Sequence, residues 1–538
     1  MAPNVRKRSI LASIAFFLLS FLLFTAKKAF DYSATPSGPK DCDFIFPRVD
    51  DESKPTTIMA LGDLAFEERG GYVNDASCLN KTPVYGIIKV KDVEQIREAL
   101  KFARDNHLTI SIAGQRHSMG GQTFTPNGIV LDMRDFNQLR LDGPKNTLNA
   151  QTGATWQQIQ YFLDPQGFAV EAMQSINIFT VGGSMSVNAH GIAHRPGPLA
   201  STVRSFRIML GDGEIKNASP EENPELFRLA LGGYGLFGVL LDVDLTVVKN
   251  EVYERITKYM GYKEVTDFYN REVAKNDDIG LFYGRLSVSP SSYLEEAAVH
   301  VYKKTEFTHA LPPLQEPKHD WVSRLVINFS KTGPFGRRIR WALEKHAEAG
   351  LHQCISRNQA MNADVGCLVT RNQEMDDSMK YLKNRLRDTD ILQEYFIPPD
   401  RMSEFIDGLR GVVVRNGANL LNVTLRVVHK DTVTALPYAK EDMFAFVLYF
   451  NQKFNEKDAA ILKKTTTDLI DLTIGLKGTY YLPYQLYYSP QQLNAAYPEI
   501  NSFFAAKKKY DPLNIFGSKF YSKYGTRSDA ATTIVECQ

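Results

Sequence analysis

The sequence predicts an α+β fold of several domains, and three observations support this. The chain has 538 residues, the length of three to four average domains, and 43% of them are apolar, enough for a large core. Apolar residues recur at helical spacing from Val93 to Ala103, and residues 107–113 then have the composition of a strand. From residue 251 to about residue 480, strand-like runs alternate with helical runs, which is typical of a sheet with helices on one side.

The charge balance excludes one class of partner. The formal net charge is +2 and the isoelectric point is about 8.1. No block of basic residues interleaved with aromatic residues occurs in the chain. We therefore expect no nucleic acid partner.

Residues 1–28 predict a membrane anchor. The apolar run Ile10–Ala26 is preceded by basic residues and closed by Lys27 and Lys28. A run of about 17 residues is at the short end of what spans a bilayer, for which ~20 is typical. It is long for the apolar region of a signal peptide, and no small-x-small cleavage site follows it. The sequence favours an uncleaved single-pass helix with the folded domains on the non-cytoplasmic side; a cleaved signal and a secreted chain is the alternative.

Residues 29–74 follow as a proline-containing linker and lead-in. The five cysteines of the chain are too few and too scattered for a disulfide framework, and their odd number leaves at least one unpaired. One or two bridges remain compatible with an exported protein.

The segment Ser111–Gly121, with the sequence SIAGQRHSMGG, ends a buried-type strand in a loop rich in glycine. Gly114, Gly120 and Gly121 carry no Cβ atom, so backbone N–H groups can approach a diphosphate closely there. His117 lies inside the same loop and is a candidate reactive residue. The segment predicts a phosphate cradle.

Two further glycine segments follow. Phe179–Gly191 (FTVGGSMSVNAHG) and Asn223–Val239 (NPELFRLALGGYGLFGV) each contain a glycine turn, so separate loops could hold one extended ligand. The stretch Gly233–Gly238 also satisfies the G-x-G-x-x-G pattern of Rossmann folds. That fingerprint needs a strand before the glycines and a helix after them, and here a helix precedes and a strand follows. We reject a Rossmann interpretation.

In this order and spacing, the three segments resemble the flavin-binding domain of the vanillyl-alcohol oxidase and para-cresol methylhydroxylase (PCMH-type) family. The resemblance is firm over residues 75–250. It continues more weakly at residues 391–398 and 507–516, which look like the alditol and aldonolactone oxidase and the polyprenyl-phosphoribose oxidase branches. It implies FAD held between two α+β subdomains in 75–250, an α+β substrate (cap) domain in 251–480, and a C-terminal segment, 481–538, that returns to the flavin domain.

The resemblance also implies which residues hold the cofactor. His117 stands where some members carry the histidine bonded to the 8α-methyl carbon of the isoalloxazine, and a neutral imidazole is the form that can attack. We favour covalent FAD through His117; non-covalent binding is the alternative, because other members have a different residue there. The expected cofactor contacts are Gly114, Gln115, Arg116, His117, Ser118, Met119, Thr180, Val181, Gly182, Gly183, His190, Gly191, Val239 and Tyr481.

The implied reaction is oxidation of a CH–OH group in a polyol, an aldonolactone or a glycosyl lipid, by hydride transfer to flavin N5. The electron acceptor would be O2 or a carrier. We expect Gln393 and Tyr395 to line the site from one strand face and Glu394 to point to the other. The candidate catalytic residues are His190, Gln393, Tyr395, Asn422 and Tyr484.

Two alternatives bear on this interpretation. A flavin-retaining protein that binds or relays electrons without its own substrate would share the same cofactor segments.

His190 and His194 are four residues apart, as helical zinc ligands are, but the sequence HGIAH lacks the glutamate of H-E-x-x-H and Pro196 follows. We predict no metal site.

Overall fold

A computed structural model describes residues 20, 23–24, 27, 66, 68–306, 314, 326–351, 368–374 and 388–526. The predicted N-terminal anchor lies mostly outside these ranges. Among the described residues, no helix has the length and apolar character needed to cross a bilayer. Cys78 forms a disulfide bond, and the other four cysteines belong to ranges that the structure does not describe.

The described chain is a mixture of strands and helices, which confirms the α+β class. The strands are β1 Glu68–Arg69, β2 Tyr72–Val73, β3 Thr82–Lys89, β4 Ile110–Ala113, β5 Gly128–Asp132, β6 Leu139–Asp142, β7 Thr147–Gln151, β8 Phe168–Val170, β9 Val203–Met209, β10 Ile215–Ala218, β11 Val239–Lys249, β12 Val252–Gly261, β13 Ile279–Leu286, β14 Glu296–Lys304, β15 Leu368–Thr370, β16 Asp388–Ile397, β17 Asn419–Val428, β18 Met443–Lys453 and β19 Thr479–Tyr480.

The α-helices are α1 Val93–Asp105, α2 Trp156–Leu163, α3 Val181–Ser186, α4 Pro224–Ala230, α5 Val265–Phe268, α6 Pro334–Leu351, α7 Arg371–Glu374, α8 Met402–Asn416, α9 Glu456–Gly475, α10 Pro490–Ala496, α11 Ile500–Tyr510 and α12 Lys519–Tyr524. A π-helical turn, Tyr269–Val273, extends α5. Short 3-10 turns are Gly143–Lys145, Asp164–Gln166, Leu199–Thr202, Tyr262–Glu264 and Pro399–Arg401.

The first sheet has five strands, with β3, β5 and β4 parallel to one another and β1 and β2 antiparallel to β3. Helix α1 connects β3 to β4 and begins at Asp92, whose side chain accepts from the N–H of Gln95 at 2.9 Å. Its buried face, including Ile96 and Leu100, packs in the same core as Ile129 of β5. The segment Ser111–Gly121 leaves this sheet at the end of β4.

The second sheet has six strands, and the long strand β11 pairs antiparallel with β7, β8 and β9. Helices α2 and α3 begin at Thr155 and Thr180, whose hydroxyl groups accept from backbone N–H groups in the first turn. These two caps pair with each other in an isolated antiparallel bridge. The start of α3 is thereby fixed beside the loop that follows β4.

The third sheet is antiparallel and has eight strands in the order β15-β12-β14-β13-β17-β18-β16-β19. Helices α8 and α9 cover one of its faces: Tyr395 lies 5.9 Å from Phe405 of α8, and Gln393 donates to Thr466 of α9 at 2.6 Å. The other face carries Glu394, and it turns towards the first two sheets, where His190 meets it.

The C-terminal residues return to the first sheet. Ile110 of β4 forms a parallel bridge with Phe516, and the N–H of Gly517 donates to the Ile110 carbonyl at 2.9 Å. This return depends on a turn held by Asp511, which accepts from the N–H groups of Ile515 and Phe516 and from the ammonium of Lys507. Lys507 is fully buried, so its charge is balanced inside the protein by Asp511.

We expect Lys507→Met to destabilise the protein by about 3–5 kcal/mol, because removal of one partner leaves the other charge buried and unpaired. Lys508→Met is the matched control, since Lys508 is exposed on the next position of the same helix, and its effect should stay within about 0.5 kcal/mol. Chemical denaturation of the purified holoprotein measures both. Equal midpoints for the two variants would contradict the role given to the buried pair.

Candidate active site

Two of the predicted glycine segments form a narrow cavity between the first and second sheets, which we call the glycine slot. It lies where the loop after β4 passes the first turn of α3, and the third glycine segment closes its end. Its lining includes Gly114, Ser118, Thr123, Thr180, Gly182, Gly183, Ser186, Val187, Tyr234, Gly235 and Gly238.

The two walls of the glycine slot approach each other closely. A Cβ atom on Gly114 would lie 2.1 Å from the Thr180 hydroxyl oxygen, so a side chain does not fit there. Within the described residues, the backbone N–H groups of Gly114, Gln115 and Ser118 donate no hydrogen bond. A loop of free N–H groups beside glycines is the arrangement that holds phosphate groups.

The slot therefore fits the diphosphate of a dinucleotide, and a further polar atom is available to it. The buried Thr123 hydroxyl lines the slot and has no hydrogen-bond partner in the described part of the chain. Buried polar groups are nearly always hydrogen-bonded in complete structures. The residues present thus fit the FAD that the sequence analysis expects.

His117 lies on the same loop. Burial of both ring nitrogens lowers the pKa of His117 to about 3, so the imidazole is neutral at physiological pH. Its ring packs against Phe179, with the two centroids 4.4 Å apart. The neutral form is the one required for attack on a flavin carbon.

The first and second sheets together form what we call the flavin-binding half. A second cavity, which we call the polar cleft, opens between this half and the third sheet. Val187 lines both the cleft and the glycine slot, so the two cavities lie next to each other. The polar residues of its lining are Gln174, Ser175, His190, Arg285, Glu394, Asn422, Thr424, Arg426, Tyr449, Tyr481 and Tyr484.

The polar cleft is centred on a buried pair formed by His190 and Glu394. Their Nε2 and Oε1 atoms are 2.5 Å apart, and both side chains are buried. The hydroxyl of Tyr484 donates to the other oxygen of Glu394 at 3.4 Å. Burial, and next the charge of Glu394, raise the pKa of Tyr484 well above its usual value, so this tyrosine stays protonated.

Backbone geometry places His190 in the cleft. Asn188 adopts a positive φ of 49°, and its side chain donates to Asp431 at 2.9 Å and accepts from the N–H of Ala200 at 2.9 Å. The Tyr438 hydroxyl donates to the Asn188 carbonyl at 2.8 Å. Asparagine tolerates this conformation better than most residues, which explains its position in the segment VNAHG.

The buried polar atoms of the cleft that make no hydrogen bond to described residues include the Ser175 hydroxyl, Nδ1 of His190 and Nε of Arg426. Two are donors and the third is a ring nitrogen, so the cleft offers a hydroxylated substrate both donors and an acceptor. The opposite wall is fixed instead: Asn422 accepts from Arg340 of α6 at 2.9 Å and donates to Thr424 at 2.9 Å.

The prediction of which face of β16 lines the site is wrong. Gln393 and Tyr395 share a face, as the two-residue period predicts, but that face packs against α8 and α9, with the Tyr395 hydroxyl donating to Gln393 at 2.8 Å. Glu394, which the sequence analysis turned away, lines the cleft. His190, Asn422 and Tyr484 line it as well, and so does Tyr481.

The structure distributes the expected cofactor residues over different positions. Arg116 pairs with Asp132 at 3.4 Å, and the N–H of Met119 donates to the Pro483 carbonyl at 2.8 Å. Gly191 packs against the Met173 backbone, and Val239 is buried in the core at the start of β11. Five of the expected cofactor residues line the slot: Gly114, Ser118, Thr180, Gly182 and Gly183. The expected residues that do not line it are Gln115, Arg116, His117, Met119, Val181, Gly191 and Val239.

The sequence analysis missed part of the slot. Tyr234, Gly235 and Gly238 line it, and all three have positive φ, at 53°, 72° and 148°. They belong to the G-x-G-x-x-G stretch, which does lie between a helix and a strand, α4 and β11. The glycines were a usable signal for a close backbone approach, although they do not mark a Rossmann fold.

Comparison with known proteins supports the same cofactor. Residues 84–219 match a family described as an FAD binding domain. This part of the chain, which contains the first two glycine segments, is similar to FAD binding domains. This confirms the resemblance found in the sequence.

Relatives named as cytokinin dehydrogenases and as aldonolactone oxidases are among the similar proteins. Cytokinin dehydrogenase 9 of Oryza sativa subsp. japonica is 29% identical over 36% of this chain and 39% of its own length. L-gulonolactone oxidase of Bos taurus is 27% identical over 34% of this chain and 42% of its own length. Cytokinin dehydrogenase 3 of Arabidopsis thaliana is 24% identical over 80% of this chain and 84% of its own length. The chain thus spans about two fifths of the first two relatives.

We expect Gly114→Ala to abolish retention of FAD, because the new Cβ would meet the Thr180 hydroxyl at 2.1 Å. Adding Thr180→Ala removes that oxygen and should restore part of the bound flavin. Gly411→Ala is the control, since nothing lies within 4 Å of that position and its φ is not positive. The flavin-to-protein absorbance ratio after gel filtration measures all three, and full flavin content in Gly114→Ala would show that the slot does not hold the cofactor.

Proposed function

We propose that this protein oxidises a CH–OH group of a small sugar-type substrate, an aldonolactone or a polyol, with FAD as cofactor. The observation that carries the proposal is the His190–Glu394 pair, in a cleft where the Ser175 hydroxyl and Nε of Arg426 make no hydrogen bond to any described residue. Bound FAD would supply the hydride acceptor. The chain itself must bind the substrate hydroxyl groups and remove the hydroxyl proton.

His190 is the base in this proposal. A carboxylate that accepts from Nε2–H holds the imidazole in the tautomer whose Nδ1 has a free lone pair. Within the part of the chain that the structure describes, Nδ1 has no hydrogen-bond partner. As the hydride leaves carbon, His190 takes the proton from the substrate oxygen, and Glu394 stabilises the imidazolium that forms, as the acidic residue does in other carboxylate–histidine pairs.

The cations of the cleft support an oxygen-rich substrate. Arg285 and Arg426 both line the cleft; Nη1 of Arg285 is 3.5 Å from Oε1 of Glu344, and Arg426 has no ion pair within the described chain. A guanidinium donates hydrogen bonds to ring, carbonyl and hydroxyl oxygens. This supports a lactone or polyol substrate, of the kind named for L-gulonolactone oxidase.

We expect His190→Gln to keep its flavin and to slow anaerobic flavin reduction by about 10²–10⁴-fold, the usual contribution of a general base. Glu394→Gln should slow it less, because the amide no longer stabilises the imidazolium with a negative charge while the base itself remains. His429→Gln makes the same exchange at a half-buried histidine outside the cleft and should leave the rate unchanged.

Stopped-flow absorbance with L-gulonolactone, an open-chain polyol and a cytokinin measures these rates. Bleaching by the cytokinin alone would replace the sugar-type assignment. If none of the three compounds reduces the flavin, the alternative of an electron-relay protein is favoured. If His190→Gln reduces its flavin at the wild-type rate, His190 is not the general base.

We further propose that FAD is bonded covalently through His117. Bond formation between the imidazole nitrogen and the 8α-methyl carbon removes one methyl hydrogen and the imidazole proton and leaves two electrons on the cofactor. The electron acceptor, O2 or a carrier, must take them up. The neutral state of His117 and the burial of both of its ring nitrogens on the slot loop support this proposal.

Acid denaturation tests the bond. Wild-type polypeptide should retain yellow fluorescence after acid precipitation, and His117→Ala should release all of its flavin while still binding it in the native state. Release of free FAD from the wild type would contradict covalent attachment and leave the slot assignment intact.

A further inference from the structure

The loop that carries His117 is held by a short turn from an earlier part of the chain. The turn is residues 74–80, between β2 and β3, and we call it the lead-in turn; the slot loop is residues 114–121, after β4. The N–H of Ala76 donates to the Arg116 carbonyl at 3.0 Å. Arg116 has a positive φ of 57°, so this bond holds the slot loop at a bend that residues other than glycine rarely adopt.

The far end of the slot loop is held by side chains of the same turn. Asn80 donates its amide to the Met119 carbonyl at 2.9 Å, and Gly121 donates its N–H to Oδ2 of Asp75 at 3.0 Å. Gly121 also has a positive φ, of 70°, so the loop bends again at this point. His117 lies between the two bends, and both bends are bonded to the lead-in turn.

Asp75 is the centre of the lead-in turn, and its side chain is buried. Besides the N–H of Gly121, Oδ2 accepts from the Asn80 amide at 2.8 Å. Oδ1 accepts from the N–H of Ser77 at 3.0 Å and from its hydroxyl at 2.5 Å. Asp75 forms no ion pair within the described ranges, so its charge is stabilised by these neutral donors. A buried carboxylate costs free energy unless both oxygens are hydrogen-bonded, and Asp75 therefore requires the bond from the slot loop.

The lead-in turn also contacts the two segments that line the polar cleft. The Ser77 carbonyl accepts from the Thr389 hydroxyl at 2.6 Å, and the Ser77 hydroxyl accepts from the Gln485 amide at 3.1 Å. Thr389 belongs to β16, the strand of Glu394, and Gln485 follows Tyr484 in the chain. The turn thus joins the slot loop to the segments that carry these two cleft residues.

We propose that Asp75 is a positioning residue for the cofactor: it fixes the slot loop in the shape that binds the FAD diphosphate and presents His117 to the flavin. A loop that is already held in its binding shape loses little conformational entropy when the ligand binds, so affinity rises. The proposal rests on the glycine slot as the site of FAD. It depends neither on the covalent bond through His117 nor on the identity of the substrate.

Asp75→Asn tests this role, because it keeps the shape of the side chain and one acceptor oxygen. Its new N–H groups face the N–H of Gly121 and the amide of Asn80, from which they cannot accept. The substitution is made in the full chain with His117→Ala, so that FAD binds reversibly. We expect the Kd for FAD, measured by flavin fluorescence titration at pH 7, to rise about 10–100-fold, as for the loss of one hydrogen bond to a charged group.

Asp164→Asn, in the same His117→Ala chain, is the matched control. Asp164 also accepts from neutral amides, those of Asn250 at 2.8 Å and Asn372 at 3.0 Å, and it lines neither cavity. Its Kd for FAD should stay within about twofold of the parent value, because surface substitutions away from a site have small effects.

The pH dependence separates positioning from a general loss of stability. Burial raises the pKa of Asp75 to about 6, so the carboxyl gains a proton, and loses an acceptor, as the pH falls from 7 to 5. Lys519 of α12 is the cation beside this turn, donating to the Asn80 carbonyl at 3.1 Å, whereas Arg116 of the slot loop pairs with Asp132. These groups are common to both chains. We expect the affinity of the His117→Ala parent to fall about tenfold over this pH range and that of Asp75→Asn to stay constant.

Equal affinities of Asp75→Asn and its parent at pH 7 would overturn the proposal. An equal loss in Asp164→Asn would overturn it too, by assigning the effect to the stability of the fold. If the parent itself binds too weakly to titrate, the flavin-to-protein absorbance ratio in the chain with His117 intact gives the same comparison. A wild-type protein that neither contains flavin nor binds added FAD would instead refute the slot as the FAD site, and this inference with it.

Discussion

The hydrogen bond between His190 and Glu394 is the contact on which the cleft depends. It joins the loop after α3 to strand β16, and so it connects the flavin-binding half to the third sheet at a point where both partners are buried. A carboxylate taken out of water without partners costs several kcal/mol, so Glu394 requires the donors that His190 and Tyr484 supply. The same requirement leaves Nδ1 of His190 as the remaining reactive nitrogen of the ring.

This contact also relates the two cavities to each other. The glycine slot exists because several of its lining residues are glycines, which have no side chain to fill it. The polar cleft is instead lined by polar side chains, some of which make no hydrogen bond to described residues. Val187 lies on the boundary, and its carbonyl accepts from the Tyr481 hydroxyl at 2.8 Å. A long cofactor would therefore run from a wall of backbone N–H groups to a wall of titratable groups, which is the order that a dinucleotide with a reactive ring at one end needs.

The sequence predicts the backbone features of the two cavities better than it predicts which side chains line them. The glycine segments were visible because close backbone approach needs glycine, and Gly114 against Thr180 is the clearest case. The face of β16 was not visible. Its residues are buried almost throughout, because helices cover one side and the flavin-binding half covers the other. A period of two divides the strand into two sets, and nothing local says which set meets the helices.

The position of α6 adds a coupling between the substrate wall and the surface of the molecule. Arg340 fixes Asn422 from the inner side of the helix, and in the turn just before it Lys331 pairs with Asp390, which in turn accepts from the Tyr449 hydroxyl at 3.0 Å. Both Asn422 and Tyr449 line the polar cleft. Helix α6 and the turn before it thus hold two groups of the cleft lining in place from outside the cleft. Local sequence gave no sign of this link, because it joins residues that are more than 50 positions apart and depends on which side of α6 faces the sheet.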